Sequence, residues 1–246
     1  MRILYGPVDS WRFGRSLGVD PLAGRAKICP FSCTYCQYGP TPTPAVGRRS
    51  WVSVERLQRE LEALGQVSAD CVTFAGLGEP TAAANLRELV LAVRSSLALP
   101  LIILTGSGLI PRADVRRDLL LFDQVVAALD SPDEALFRQI RRPVSGYPYS
   151  WAAIVEGLRQ FRRAYRGRLV LQMMYLQVNV HAAPQMAALA RTLEPDEVQL
   201  NTPLQPALGG PITETQMRSV ERAFAGMAPV RCVYVDGQTQ TRPRFP

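Results

Sequence analysis

Cys29-Pro30-Phe31-Ser32-Cys33-Thr34-Tyr35-Cys36 spaces three cysteines by three and two intervening residues, directly after the apolar run Ala26-Lys27-Ile28. A turn this tight can aim three thiolates at one centre, and thiolates are the ligands that hold iron–sulfur clusters. Three protein ligands on a four-iron cluster leave one iron open. That is the counterpart of the open position separating a catalytic metal site from a closed structural one. An open iron can chelate the amino and carboxylate groups of a small molecule. The competing chemistry is a structural zinc knuckle, which needs a fourth Cys or His. Only Cys71, Cys232 and His181 remain, and none stands at finger or ribbon spacing from the triplet. Five cysteines without a secretory context argue against disulfides.

A second candidate is Gly76-Leu77-Gly78-Glu79-Pro80-Thr81. Glycines let a backbone approach a ligand closely. A glutamate at a strand end can accept a charge-assisted bond from an ammonium group. Thr105-Gly106-Ser107-Gly108 can contact a ligand or be only a turn, and Asp130 can bind a ribose, bind substrate or cap the next helix. Tyr35 can stack on a purine or simply pack. Arg138, Arg141 and Arg142 precede an irregular stretch containing Pro143, Gly146 and Pro148. If that loop folds over the strand ends, its guanidiniums suit a carboxylate or phosphate; the alternative is a helix end stabilised by cations. His181 is the single histidine and reads as a surface-loop residue, while Cys71 and Cys232 read as buried small hydrophobes.

These residues need a frame, and the chain predicts one. Residues 1–25 read as a turn-rich lead-in, with a first strand over 24–28 before the cysteine loop and a proline-rich loop over 37–50. Strands are then expected near 71–75, 100–104, 124–129, 169–177, 197–200 and 230–235. Helices are expected near 53–64, 85–96, 112–120, from Ser131-Pro132-Asp133-Glu134 with Ser131 as cap, Pro132 at the first position and Glu134 completing a capping box, and near 150–165, 184–192 and 213–225. Six strand–helix units with continuous apolar strands imply a parallel sheet covered by helices, with right-handed crossovers. Functional groups in such folds collect at the carboxyl ends of strands. That edge gathers the three cysteines, Gly76–Glu79, Thr105–Ser107, Asp130 and Asn201. The expected organisation is one domain over 1–246, with a partial barrel over 26–235 and a tail over 236–246.

The 246 residues, 47% hydrophobic and 20% charged, suffice for a sizeable core. Without a charged-then-apolar leader or a membrane-length apolar run, the expectation is a cytoplasmic protein with no membrane partner. The net charge is +7, and Lys27 is the only lysine among 28 basic residues. That balance allows an anionic partner such as RNA, and equally an arginine-rich solvated surface.

The CxxxCxxC spacing, with an aromatic before its last cysteine, resembles the radical S-adenosylmethionine (SAM) enzymes. Further stretches resemble the branch related to the wyosine-forming tRNA enzymes: Tyr5-Gly6-Pro7-Val8 with Ser16–Asp20, Val72-Thr73-Phe74 through Pro80-Thr81, Phe137–Pro143, and Val198–Pro203. The resemblance implies a six-stranded partial (β/α) barrel of the α/β class, with a 4Fe–4S cluster on Cys29, Cys33 and Cys36 and SAM on the open iron. In that family the glycine–glutamate element binds the methionyl amine; here Leu77 interrupts the glycine pair. The third strand ends in Thr105-Gly106, where Thr-Asn-Gly is usual, and extra cysteines for a second cluster are missing. The resemblance further implies reductive cleavage of SAM to a 5′-deoxyadenosyl radical that abstracts a substrate hydrogen. An electron donor such as flavodoxin or ferredoxin is implied with it. The substrate class stays open among a modified tRNA base, a peptide or protein residue (including a glycyl-radical enzyme to be activated) and a small anionic metabolite. A zinc-stabilised nucleic-acid-binding protein is the rival from another class.

Overall fold

The computed structural model describes residues 2–203, 210–235 and 238–239. Its frame begins inside the expected lead-in. β1 (Leu4–Ser10) and β2 (Gly14–Val19) form an antiparallel pair, so residues 1–25 are not an irregular cover. The glycines that signal turns in this segment serve packing instead. A Cβ at Gly18 would lie 2.1 Å from the ring of Tyr5 on the paired strand, so only glycine lets that ring lie across it. The first barrel strand is accordingly β2, not residues 24–28. Ile28–Cys29 forms only the short β3, paired with β4 (Thr43–Pro44) in the proline-rich loop. Two residues between Gly24 and Pro30 are too few to span a sheet.

α1 (Val54–Glu62) follows Ser53, whose hydroxyl caps it by accepting from the Arg56 N–H. The alternation then continues through β5 (Cys71–Phe74), α2 (Leu86–Ser96), β6 (Leu101–Thr105), α3 (Ala113–Leu119) and β7 (Gln124–Ala128). α4 (Glu134–Arg141), α5 (Trp151–Ala164), β8 (Arg168–Met174), α6 (Ala183–Arg191) and β9 (Glu197–Asn201) come next. The described chain closes with α7 (Glu214–Ala223), β10 (Val230–Cys232) and the small ribbon β11 (Tyr234–Val235) with β12 (Gln238–Thr239). The rest of the expected tail lies outside the described residues. One helix start differs from expectation. Asp133, not Ser131, caps α4 by accepting from the Leu136 N–H at 2.9 Å, and the Ser131 hydroxyl has no partner.

The strands lie in the order β1-β2-β5-β6-β7-β8-β9-β10, parallel from β2 to β10. Helices cover the outer face, where the main core lies, including Leu57, Leu89, Phe122, Leu158 and Met186. The result is an α/β partial barrel. Its inner face carries a second, smaller cluster: Cys71, Ile102, Val126 and Val170, with Phe13 and Leu104 packed against it. The sheet edges, β1 and β10, are drawn together at the amino end of the strands. Arg231 of β10 donates to the carbonyls of Trp11 and Arg12 in the β1–β2 turn, at 2.8 and 3.2 Å. No helix among the described residues is long and apolar enough to cross a membrane.

Candidate active site

The cysteine loop lies at the carboxyl ends of the strands because it is stitched there by backbone bonds. Ile28 N–H donates to Leu77 O, Glu79 N–H to Ile28 O, Ser32 N–H to Arg142 O, and Thr34 N–H to Ile140 O. The glycines of the neighbouring loop make the first of these contacts possible. A Cβ on Gly78 would lie 1.9 Å from Ile28 O, and one on Gly76 would strike the Asp20 carboxylate. Asp20 in turn accepts from the N–H groups of Leu22 and Leu77. The interruption by Leu77 therefore leaves both glycines with a packing duty.

A cavity of about 250 Å³ opens beneath this loop and runs down the inside of the barrel. Cys29, Cys33 and Cys36 all line it, and all are free thiols. Tyr35, Gly76, Gly78, Glu79 and Thr105 line it as well. Ser107, Asp130 and Asn201 do not. Ser107 Oγ donates to Ala128 O, and Asn201 is fully buried with its side-chain oxygen accepting from Thr202 N–H. Asp130 sits behind the wall with its carboxylate engaged. Of the three arginines, only Arg141 reaches the cavity. Arg138 points outward against Glu134 at 2.6 Å, and Arg142 is the exposed left-handed cap of α4.

One wall is a continuous hydrogen-bond network across the ends of β5, β6, β7 and β8. Glu79 Oε1 accepts from Thr81 N–H (3.1 Å), Thr81 Oγ1 (2.7 Å) and Thr105 Oγ1 (2.7 Å), while Oε2 accepts from Gly106 N–H (2.6 Å). Arg141 then donates to Gly106 O at 2.7 Å, to the Tyr35 hydroxyl at 2.8 Å and to Asp130 Oδ2 at 2.5 Å. Its guanidinium also lies over the Phe31 ring. Tyr35 donates to Asp130 Oδ2, and Met174 N–H donates to Oδ1. Asn179 ties the strand ends together from behind, donating to the carbonyls of Asp130 and Met174. Burial pushes the Tyr35 hydroxyl well up; Arg141 opposes this and Asp130 adds to it. Burial works against the Arg141 charge, but Cys33, Tyr35 and Asp130 outweigh it, so the guanidinium is held firmly protonated.

The opposite wall is the cysteine loop with Lys27. Burial pushes the Cys29 thiol well up, with Cys33 and Glu79 adding to the effect. Cys33 rises too, chiefly through burial, with Arg141 opposing. Buried thiols of this kind give up their protons to a metal, not to water. Among the described residues, no three His, Cys, Asp or Glu side chains converge as ligands to a single ion would. Three free thiols on one loop, all facing one cavity, match the ligand set of a cluster whose irons occupy separate corners. The donor set fits an iron–sulfur cluster with one open iron.

Several cavity residues escaped the sequence reading. Lys27 lines the cavity and is buried; its signal was its isolation as the only lysine. Gln172 is the one half-exposed polar residue in the buried middle of β8, and it accepts from Arg12 at 2.8 Å. Ser16 and Thr73 face each other across β2 and β5 at 2.5 Å. Asn179, which joins the ends of β7 and β8, gave no signal, because its partners are backbone groups and one of them, the Asp130 carbonyl, lies 49 positions away. Cys71 is buried and donates to Phe13 O, Cys232 is buried, and His181 lies in an exposed turn, all as their sequence context suggests.

A family model described as the radical SAM superfamily matches residues 25–190. A UPF0026 protein of Synechocystis is 35% identical over 206 residues, covering 82% of this chain and 76% of that one. A UPF0026 protein of Methanocaldococcus jannaschii is 36% identical over 213 residues, covering 84% of this chain and 65% of that protein. Among solved structures, TYW1 with a lysine–pyruvate adduct bound superposes with a TM-score of 0.66 at 15% identity, over 92% of this chain and 78% of that one.

Proposed function

Because this chain belongs to the radical SAM superfamily, whose members use a 4Fe–4S cluster and SAM, we propose that it starts radical chemistry on an anionic substrate held inside its barrel. The observation that carries this is the meeting of Cys29, Cys33 and Cys36 with Glu79 on one cavity at the carboxyl ends of the strands. Cluster and SAM together supply one-electron cleavage of the sulfonium C–S bond, giving methionine and a 5′-deoxyadenosyl radical that abstracts hydrogen from substrate. The protein's part is to hold, orient and exclude. Cys29, Cys33 and Cys36 hold the cluster. Glu79, held by two backbone and two hydroxyl donors, presents a carboxylate suited to the amino group of SAM. Gly76 and Gly78 keep the loop close, and Tyr35 is locked by Asp130 and Arg141, so its ring edges the cavity in one orientation.

The room for substrate is the lumen below. Its apolar side is Phe13, Leu104 and Val126, which pack in one cluster with Cys71, Ile102 and Val170. Its polar side carries Arg12, Gln172, Ser16 and Thr73. A mixed lining of this kind suits a small ligand with one charged end. This moves the anionic-substrate reading from Arg138 and Arg142, which face away, to Arg12. A flavodoxin- or ferredoxin-class donor supplies the electron, and five free cysteines suit a reducing compartment. A narrow lumen favours a small molecule, or one residue or base of a larger one, over a polyanion lying across the surface.

The test is anaerobic reconstitution with iron and sulfide, followed by SAM and dithionite. The expected products are methionine and 5′-deoxyadenosine from the wild type and neither from Cys33→Ala. Wild-type protein that takes up a cluster yet never cleaves SAM would overturn the reading.

A further inference from the structure

Three cations line the cavity, and they are treated differently: Arg12 donates to Gln172 at 2.8 Å. Arg141 is paired with Asp130 at 2.5 Å, and its charge is matched inside the wall. Lys27 is only 4% exposed, and among the described residues its ammonium makes one hydrogen bond, 2.8 Å to Gly39 O, with no carboxylate as partner. An ammonium has three donors. Burying one beside a lone carbonyl is costly unless an anion completes it. The chain spends 27 of its 28 basic residues as arginine and keeps a lysine here, two positions before Cys29. Arginine is a planar fork for carboxylates and phosphates, whereas lysine is a compact point charge. A point charge suits a rounded anion with no preferred plane.

We propose that Lys27 is the counter-charge of the cysteine-held cluster, a positioning residue that raises its reduction potential by stabilising the reduced state. This rests on the proposed function above, because it needs a cluster on Cys29, Cys33 and Cys36. Those cysteines bring three negative charges to one cavity, Cys29 buried and Cys33 and Cys36 half-buried. One-electron reduction by an external donor then adds one more negative charge, with no proton required. A buried ammonium beside the loop favours the more negative form, and cluster potentials respond to nearby charge and to hydrogen bonds at sulfur.

The test compares wild type, Lys27→Gln and Lys27→Arg as anaerobically reconstituted proteins, titrated by EPR-monitored potentiometry, with SAM affinity measured in parallel. At the wild-type midpoint, the ratio of reduced to oxidised cluster is expected to fall at least tenfold in Lys27→Gln, a shift of about 59 mV for a one-electron couple. Lys27→Arg should recover most of it. A Lys27→Gln protein that folds normally by circular dichroism yet takes up no iron, beside a Lys27→Arg protein that does, also upholds the counter-charge. An unchanged potential in Lys27→Gln overturns the proposal, and a fall in SAM affinity alone assigns the lysine to the ligand carboxylate instead. Loss of fold or iron in both variants makes the position structural and overturns it too. Wild-type protein that holds no cluster would defeat the proposed function itself, which separates the two failures.

Discussion

The cavity has one wall whose polar groups are nearly all paired, the Arg141 Nε excepted, and one wall that is left unfinished. On the Glu79–Arg141 side, the buried carboxylate of Glu79 has four donors, Arg141 has an acid, a hydroxyl and a carbonyl, and Asp130 accepts from three groups. On the cysteine side, three thiols and an ammonium share the loop with almost no mutual satisfaction. A buried polar group left unmet costs more than one never placed there. The difference therefore marks which wall is scaffold and which is receptor. The finished wall sets distances, and the unfinished wall is completed by what it binds.

The largest effect should come from the receptor side. Cys29→Ala, Cys33→Ala or Cys36→Ala should each abolish stable cluster uptake, measured as iron and sulfide per chain, while leaving the thermal transition of the iron-free protein nearly in place. Cys71→Ala and Cys232→Ala should keep the cluster, because one residue packs in the inner-face cluster and the other in the main core. Full cluster content in Cys33→Ala would erase the distinction between the walls.

On the scaffold side the damage should appear as stability. Asp130→Ala strands the buried Arg141 charge and frees the Tyr35 hydroxyl, a loss of about 3–5 kcal/mol expected for breaking a buried pair. Removing both charges with Asp130→Ala and Arg141→Met should cost clearly less than the sum of the single changes, as measured by urea unfolding. Additive losses would mean that the two side chains do not act as a unit.

Much of this contrast was legible in the sequence, though unevenly. The receptor wall was readable because its ligands lie within one eight-residue stretch, where spacing alone constrains geometry. The alternation of apolar strands with capped helices gave the parallel sheet for the same reason, since each signal is local. The scaffold wall was less readable. Asp130, Arg141 and Tyr35 each read in sequence as open to a ligand or to a local structural role, yet they bond one another across 95 and 106 positions of sequence. A residue reserved for a ligand looks identical, in sequence, to one that neutralises a neighbour. The first two strands were missed because Gly6, Pro7, Gly14 and Gly18 read as turns, when Gly18 is needed to admit the Tyr5 ring.

Glu79 stands on the scaffold wall yet is the residue proposed to meet SAM, so its replacement sharpens the comparison at a smaller scale. In Glu79→Gln an amide N–H₂ must face either the Thr81 and Thr105 donors or the Gly106 N–H. One set of bonds is lost whichever way it turns. A loss of about 1.5–3 kcal/mol is expected, that of a hydrogen bond to a charged group. It should divide between unfolding free energy and SAM affinity, while the iron–sulfur absorption persists. If calorimetry shows unchanged SAM binding and only the fold weakens, Glu79 is scaffold alone.

The smallest effect tests how far the scaffold extends behind the wall. Arg48, its side chain 5% exposed, donates to Thr81 O at 3.0 Å and Ala83 O at 2.6 Å, bracing the turn that carries Glu79. It is itself held by Asp118 and Asp114 on α3. The Arg112 guanidinium, with Arg48 contributing and burial opposing, lowers the Asp114 carboxyl to about 2. A folded-state value below the unfolded one means Asp114 stabilises the fold above the ordinary carboxylate range. That stability is lost as pH falls through the window from about 4 to about 2. Asp114 is about a third exposed, so solvent screening keeps the contribution small. The measurable quantity is the difference in urea midpoint between wild type and Asp114→Asn. It should be constant above pH 5 and shrink toward zero between pH 4 and pH 2. A difference that stays flat down to pH 2 would show that the salt links on α3 do not brace the Glu79 turn, and that the scaffold ends at the wall itself.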